Sequence, residues 1–214
     1  MSSMSFSHPV PASVAVPPPA AVPAPPPPAR PRAPQRSALY RLWLGHAPRP
    51  RGIGRRRVLA ALDPQPGERI VEIGPGAGYH SVAIARAVGP AGRLMLVDHD
   101  GAMLDATLQR LRARGLRARA GGSLADASRR LPFGDGAYDA AVLVGVLGET
   151  ADPAFALAEA ARVVRPGGRV VLGELRLDPH AIPADDLRAL AVEAGLRPEG
   201  AFRGFAYTVR LRRP

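Results

Sequence analysis

The 214-residue chain contains no cysteine, which excludes disulfides and thiolate metal sites. It contains no lysine either, so all 29 basic residues are arginine. Together with abundant Ala, Gly and Pro, that usage reads as coding bias in a GC-rich genome. Acidic residues are missing from the whole N-terminal stretch before Asp63. The first thirty residues lack a basic start followed by an unbroken apolar run, which argues against a secretory signal. The longest apolar stretch, Ala140 to Leu147, is far short of a membrane span. These absences lead to the expectation of a soluble, cytoplasmic protein with no metal centre.

What is present is distributed unevenly. Residues 1–35 hold 12 of the 25 prolines. Proline at that density removes backbone donors and fixes φ, so neither helix nor sheet is expected there. Nine arginines fall between Arg30 and Arg57, giving residues 1–57 a charge of +9 and residues 58–214 only +2. The high isoelectric point therefore describes the leader, and it argues against the folded part being a nucleic-acid binder. The expected organisation is a Pro/Ala/Arg-rich leader over 1–36, a lead-in segment over 37–52 able to act as a lid, and one domain over 53–214.

From residue 53 onward, short apolar runs alternate with amphipathic segments of helical length, the pattern of parallel strands joined by crossover helices. Helices are expected over 53–62, 79–88, 102–114, 153–163 and 183–194. Strands are expected over 69–73, 93–97, 117–120, 138–144, 169–175, 196–201 and 206–211. The last two strands are separated only by Phe202 to Phe205, so they must run antiparallel. The fold class is thus α/β: a Rossmann-like, seven-stranded, mostly parallel sheet with a C-terminal antiparallel hairpin strand and helices on both faces.

The first strand runs into Gly74-Pro75-Gly76-Ala77-Gly78. Glycines there let backbone approach a ligand where a Cβ would collide, and the following helix offers free N–H groups. Dinucleotide enzymes space such glycines as G-x-G-x-x-G, but the third glycine position is Tyr79 here, so that reading fails. Glu72 sits inside the strand, where packing does not explain a carboxylate and a cationic ligand would compensate it. The second strand ends on Asp98, an acid some twenty residues past the glycines that can hold both ribose hydroxyls of an adenosine. Asp98 could instead cap the next helix, although Asp100 is better placed for that.

These residues resemble the class I S-adenosylmethionine-dependent methyltransferases, most closely the group containing the ubiquinone and menaquinone C-methyltransferases. The resemblance covers about residues 53–214. Its motifs, in order, are Val71 to Gly78, Val97-Asp98, Leu131-Pro132-Phe133-Gly134-Asp135-Gly136-Ala137-Tyr138-Asp139 and Ala160-Ala161-Arg162-Val163-Val164-Arg165-Pro166-Gly167-Gly168. It implies S-adenosyl-L-methionine as cofactor. By the same resemblance Glu72, Gly74, Pro75, Gly76 and Gly78 face its methionine portion, Asp98 its ribose and His99 its adenine. Val144 joins this set at the tip of the fourth strand. The adenine contact falls on Asp126-Ala127, one residue further from Leu131 than in relatives, or else on Ser123. Where relatives often carry a histidine after the fourth strand, this chain has Gly148.

Methyl transfer is an in-line displacement in which the protein supplies alignment and a dry pocket. A base is needed only for an acceptor that must lose a proton. Glu149 is a candidate, or it caps the next helix or faces solvent. His46 is a second candidate within a lid built with Tyr40 and Trp43, unless that segment only packs on the domain. His80 is expected on a helix face. The expected partner is a small-molecule acceptor. The alternatives are an RNA- or protein-directed methyltransferase using the arginine leader, and a non-catalytic module that only binds the cofactor.

Overall fold

The computed structural model describes residues 53–176, 178–200 and 204–214. The leader, the lead-in segment with His46, and part of the expected strand 196–201 lie outside the described residues. Helix α1 (Arg55–Leu62) ends where Asp63 adopts a left-handed φ of 47° and returns its N–H to Leu59 O at 2.7 Å. Pro64 and Pro66 then prevent the helix from resuming. The chain continues through β1 (Arg69–Ile73), α2 (Ser81–Ala87), β2 (Arg93–Asp98), α3 (Gly101–Arg112), β3 (Ala120–Leu124) and β4 (Tyr138–Val144). It finishes with α4 (Pro153–Val163), β5 (Val164–Leu175), α5 (Ala184–Glu193), β6 (Arg197–Pro198) and β7 (Ala206–Arg212).

The seven strands lie in the order β3-β2-β1-β4-β5-β7-β6, with β7 antiparallel to both neighbours and the other pairings parallel. Strand alternation sends Ile70, Leu94, Leu96, Ala140, Val142 and Val171 to one face, where they pack with α1, α2 and α3. Val71, Ile73, Val97, Ala141, Leu143 and Leu172 go to the other face, against α4 and α5. Two cores therefore sandwich the sheet, as the alternating pattern implies. The strand order reverses between β1 and β4, and ligands of open α/β sheets bind outside the carboxyl ends of the strands at such a switch point.

Three expected elements move. Residues Arg117–Arg119 form a 3-10 turn, and the third strand is Ala120–Leu124. Its glycines concealed it, yet they are what allows it to dock. A Cβ on Gly121 would lie 2.9 Å from Met95 Cε, and one on Gly122 would lie 3.1 Å from Leu108 Cδ1. The fifth strand starts at Val164, not Arg169, because Val164 already pairs with Tyr138 and Arg165–Gly168 bulges out before Arg169 pairs with Ala140. The sixth strand is reduced to Arg197–Pro198 among the described residues, since proline has no ladder donor.

One ion-pair network, buried at Glu159 and open at Asp135, explains the third and fourth motifs. Arg162 of α4 binds Glu159 Oε1 and Asp135 Oδ1 at 2.6 Å each, Phe133 O at 2.9 Å and Leu131 O at 3.2 Å. Glu159 Oε2 accepts the Leu131 N–H at 2.8 Å. The Leu131–Asp135 loop is thus fastened to α4, and these motif residues act as framework.

Candidate functional site

The turn after β1 is left-handed at alternate residues, with φ of 66° at Gly74, 55° at Gly76 and 75° at Gly78. L-residues avoid that region. The three glycines serve different ends. A Cβ on Gly74 would lie 2.5 Å from Val146 Cγ2, and one on Gly78 would lie 2.9 Å from Thr107 Cγ2. A Cβ on Gly76 would meet nothing within 4 Å. Two glycines are required by packing, and the middle one borders open space.

Neighbouring helices hold the loop by its carbonyls. Thr107 Oγ1 donates to Gly76 O at 2.6 Å, Arg110 Nη1 to Ala77 O at 2.7 Å and Arg55 Nε to Tyr79 O at 3.4 Å. Pro75 is buried, and its carbonyl takes the Gly78 N–H at 3.0 Å. The Gly74 N–H bonds to Val97 O at 2.8 Å, which ties the loop to the end of β2.

Glu72 and Asp98 lie on the α1–α3 face, since they alternate with Val71, Ile73 and Val97 of the other core. Glu72 is 3% exposed, and its Oε2 is sealed from solvent without a hydrogen-bond partner. Burial pushes its carboxyl up to about 7; the Asp98 carboxylate adds to that shift and the adjacent Ser81 hydroxyl opposes it. Asp98 is also buried and accepts the Asp100 N–H at 3.0 Å. Burial raises its pKa, while the N–H groups of Asp100 and Gly76 and the His99 ring counteract. His99 itself is largely exposed, with Nδ1 3.6 Å from Asp98 Oδ1. Asp100 is the α3 cap, accepting the Ala102 N–H at 2.9 Å, so Asp98 is not engaged as the cap.

The loop after β3 joins this group. The Ala125 N–H donates to Asp98 O at 3.0 Å, which places Asp126-Ala127 directly beyond that contact. Asp126 Oδ1 accepts the Ser128 N–H at 2.9 Å, and Ala127 is buried. Ser123 lies within β3, paired with Val97 one position before Asp98. Val144 is turned toward β5, for a Cβ on Gly173 would lie 3.0 Å from its Cγ1. Val146 packs on the glycine loop, within 2.5 Å of where a Gly74 Cβ would lie. Its place in an apolar run carries no sign of that role.

Beyond β4 the sequence reading missed a residue. Glu149 is exposed and does not cap α4, since Asp152 does so through the Phe155 N–H at 2.9 Å. Glu149 instead lies within electrostatic reach of Glu174, a buried carboxylate of β5. Burial, then Asp178 and Glu149, push the Glu174 carboxyl up to about 7. A single acid inside a valine- and leucine-rich strand was the available signal. His80 is buried at the start of α2, edge-on to Tyr79 with ring centroids 4.8 Å apart.

Residues 71–172, from β1 through β5, match the methyltransferase domain family. Over these residues, just under half of its length, the chain is similar to a methyltransferase domain. It is 42% identical over 130 residues to an uncharacterised 37.1 kDa protein in transposon TN4556 of Streptomyces fradiae, covering 61% of this chain and 36% of that protein. It is 30% identical over 142 residues to a ubiquinone/menaquinone biosynthesis C-methyltransferase of Cellvibrio japonicus, covering 66% of this chain and 52% of that enzyme. The chain thus spans about half or less of the length of these two curated relatives. The fold is that of a SAM-dependent methyltransferase from Aquifex aeolicus, with a TM-score of 0.65, 17% identity, and 73% and 88% of the two chains covered. Among the described residues, no helix is long and apolar enough to cross a membrane.

Proposed function

We propose that this chain binds S-adenosylmethionine across the Gly74–Gly78 loop and directs its methyl group to a small-molecule acceptor. The observation that carries the reading is the Glu72 Oε2 atom, buried without a hydrogen-bond partner in the strand that leads into the glycine loop. A lone buried carboxylate is costly, and a ligand bearing an ammonium and a sulfonium relieves that cost. The residues present fit the cofactor. Glu72 and the glycine loop would hold the methionine portion, with Pro75 shaping the turn. Asp98 would bind the ribose hydroxyls, and His99, Asp126 and Ala127 would flank the adenine. Val144 would stand behind the cofactor at the tip of β4.

When bound, the cofactor supplies an electrophilic methyl carbon on a positively charged sulfur. The chain contributes alignment: carbonyls tied back by Thr107, Arg110 and Arg55 leave the loop rigid, so its position need not be organised during the reaction. Isothermal titration with S-adenosylmethionine tests the assignment. We expect saturable binding that Asp98→Ala weakens at least ~10-fold, as for a lost charge-assisted hydrogen bond. Absence of binding, or equal affinity in the variant, would overturn the site.

A second reading rests on the +9 charge of residues 1–57, which would suit an RNA- or protein-directed methyltransferase. Phosphate contacts would then make binding steeply salt dependent.

A further inference from the structure

The carboxyl edge of the sheet carries a further buried acid, Glu174, outside the residues proposed to hold the cofactor. Glu174 stands at the end of β5, opposite Tyr207 of β7. Alternation turns it to the face of Leu172 and Tyr207, away from that of Glu72. It is 4% exposed, and no hydrogen bond from any described residue reaches its carboxylate. Packing gives no reason for a carboxylate here, and one left without a partner is destabilising.

Among the described residues, the charges that act on it are acidic. Glu149, from the turn after β4, and Asp178, from the segment after β5, both act on it. The Tyr207 phenol lies across from it and is itself pushed up to about 12 by burial and by Glu174, with Arg176 opposing. Arg176 is exposed, and its influence falls on the phenol.

The position is also the right one. Gly173 O, next to Glu174, accepts the Gly145 N–H at 2.8 Å, and Val146 beside Gly145 packs on Gly74. The Glu174 backbone is therefore two strands from β1 at the same end of the sheet, roughly 10 Å away at ordinary strand spacing, with its side chain on the face opposite Glu72. An acceptor held at Glu174 would reach the glycine loop across the strand tips.

We propose that Glu174, flanked by Glu149 and Asp178, receives a protonated amine, and that the acceptor is a basic nitrogen compound. The inference rests on the Gly74–Gly78 loop being the cofactor site. An ammonium satisfies the unpaired carboxylate, whereas a phenolate or enolate formed here would face three acids. To be methylated, the nitrogen passes one proton to the Glu174 carboxylate, leaving a neutral amine and a carboxylic acid. Its freed lone pair then forms the nitrogen–carbon bond as the sulfur–carbon pair departs onto sulfur. The elevated proton affinity that burial gives Glu174 suits it to take that proton.

The test titrates the full chain, saturated with S-adenosylhomocysteine, with phenethylamine and with the similarly sized 4-ethylphenol at pH 8. We expect the amine to bind at least ~10-fold tighter, the scale of a charged hydrogen bond, and Glu174→Gln to abolish the preference. Glu149→Gln, on an exposed turn, keeps the fold and lowers amine affinity by a smaller factor; it also serves should Glu174→Gln fail to fold. No preference for the amine, or a preference unchanged in both variants, overturns the proposal. S-adenosylmethionine titrated alone separates the two readings. Its failure to bind overturns the cofactor site, whereas its binding without an amine preference overturns this inference alone.

Discussion

Glu72 and Glu174 are two acids whose burial works against the fold. Each has a carboxyl raised from 4.5 to about 7, chiefly by burial. A carboxyl raised in the folded state keeps its proton while the unfolded chain ionises. Stability therefore falls as pH rises from about 4.5 to 7 and stays lowered above that. Glu72→Gln removes this penalty. We expect the variant to be more stable than the parent at pH 8, by about 3 kcal/mol, and to match it below pH 4. The same variant should lose S-adenosylmethionine affinity. Parallel melts and titrations check both halves, and a variant less stable at pH 8 would refute the linkage. Glu72 was legible in the sequence because it interrupts an apolar strand beside glycines. Glu174 interrupts a strand too, but its importance depends on Glu149 and Asp178, which lie far from it along the chain or beyond the strand end.

At the scale of elements, the glycine turn is a device held from outside. Thr107 and Arg110 project from α3 and Arg55 from α1, each taking one carbonyl of the loop or its exit. The three glycines predict separable effects. Gly76→Ala places a methyl in open space at a φ of 55°, so strain of about 1 kcal/mol is the main structural cost. Gly74→Ala drives the methyl to within 2.5 Å of Val146, and the loop or β4 exit must shift. We expect Gly76→Ala to lose cofactor binding with a small change in melting temperature, and Gly74→Ala to lose both. Calorimetric melts beside cofactor titrations decide this, and equal destabilisation by the two variants would refute it. Periodicity located the strand–turn–helix unit because local chemistry encodes it. The misplaced third strand shows the converse. Gly121 and Gly122 have no propensity to announce a strand, and only the side chains of Met95, Leu104 and Leu108 explain them.

For the whole molecule, the question is what the arginines do. In the described domain several are carbonyl and carboxylate clamps. Arg169 is buried against Glu68, at 2.6 Å, and binds the Leu62 carbonyl, joining α1 to β5. Arg213 binds Ala161 O at 2.9 Å and Arg162 O at 2.8 Å, closing the end of α4 with the last residues of the chain. These side chains hold framework and are not available as a nucleic-acid surface. We expect removal of residues 1–36 to leave S-adenosylmethionine affinity unchanged, with a shallow dependence on salt. Titrations of both forms over a range of salt concentrations test it. A product-forming reaction on RNA that vanishes with the leader would instead favour the nucleic-acid reading.

The sequence by itself determined the α/β class, the reversed final strand, the glycine turn and the paired acids Glu72 and Asp98. Each is written in a short stretch of chain: apolar alternation, glycine where φ must be positive, an acid at a strand tip. The tertiary structure decided which strand stands third, why the Leu131–Asp135 motif matters, that Val146 packs against Gly74, and that Glu174 is buried near other acids. Those facts depend on which distant segments come to lie side by side, and strand register and helix packing set that only when the chain has folded.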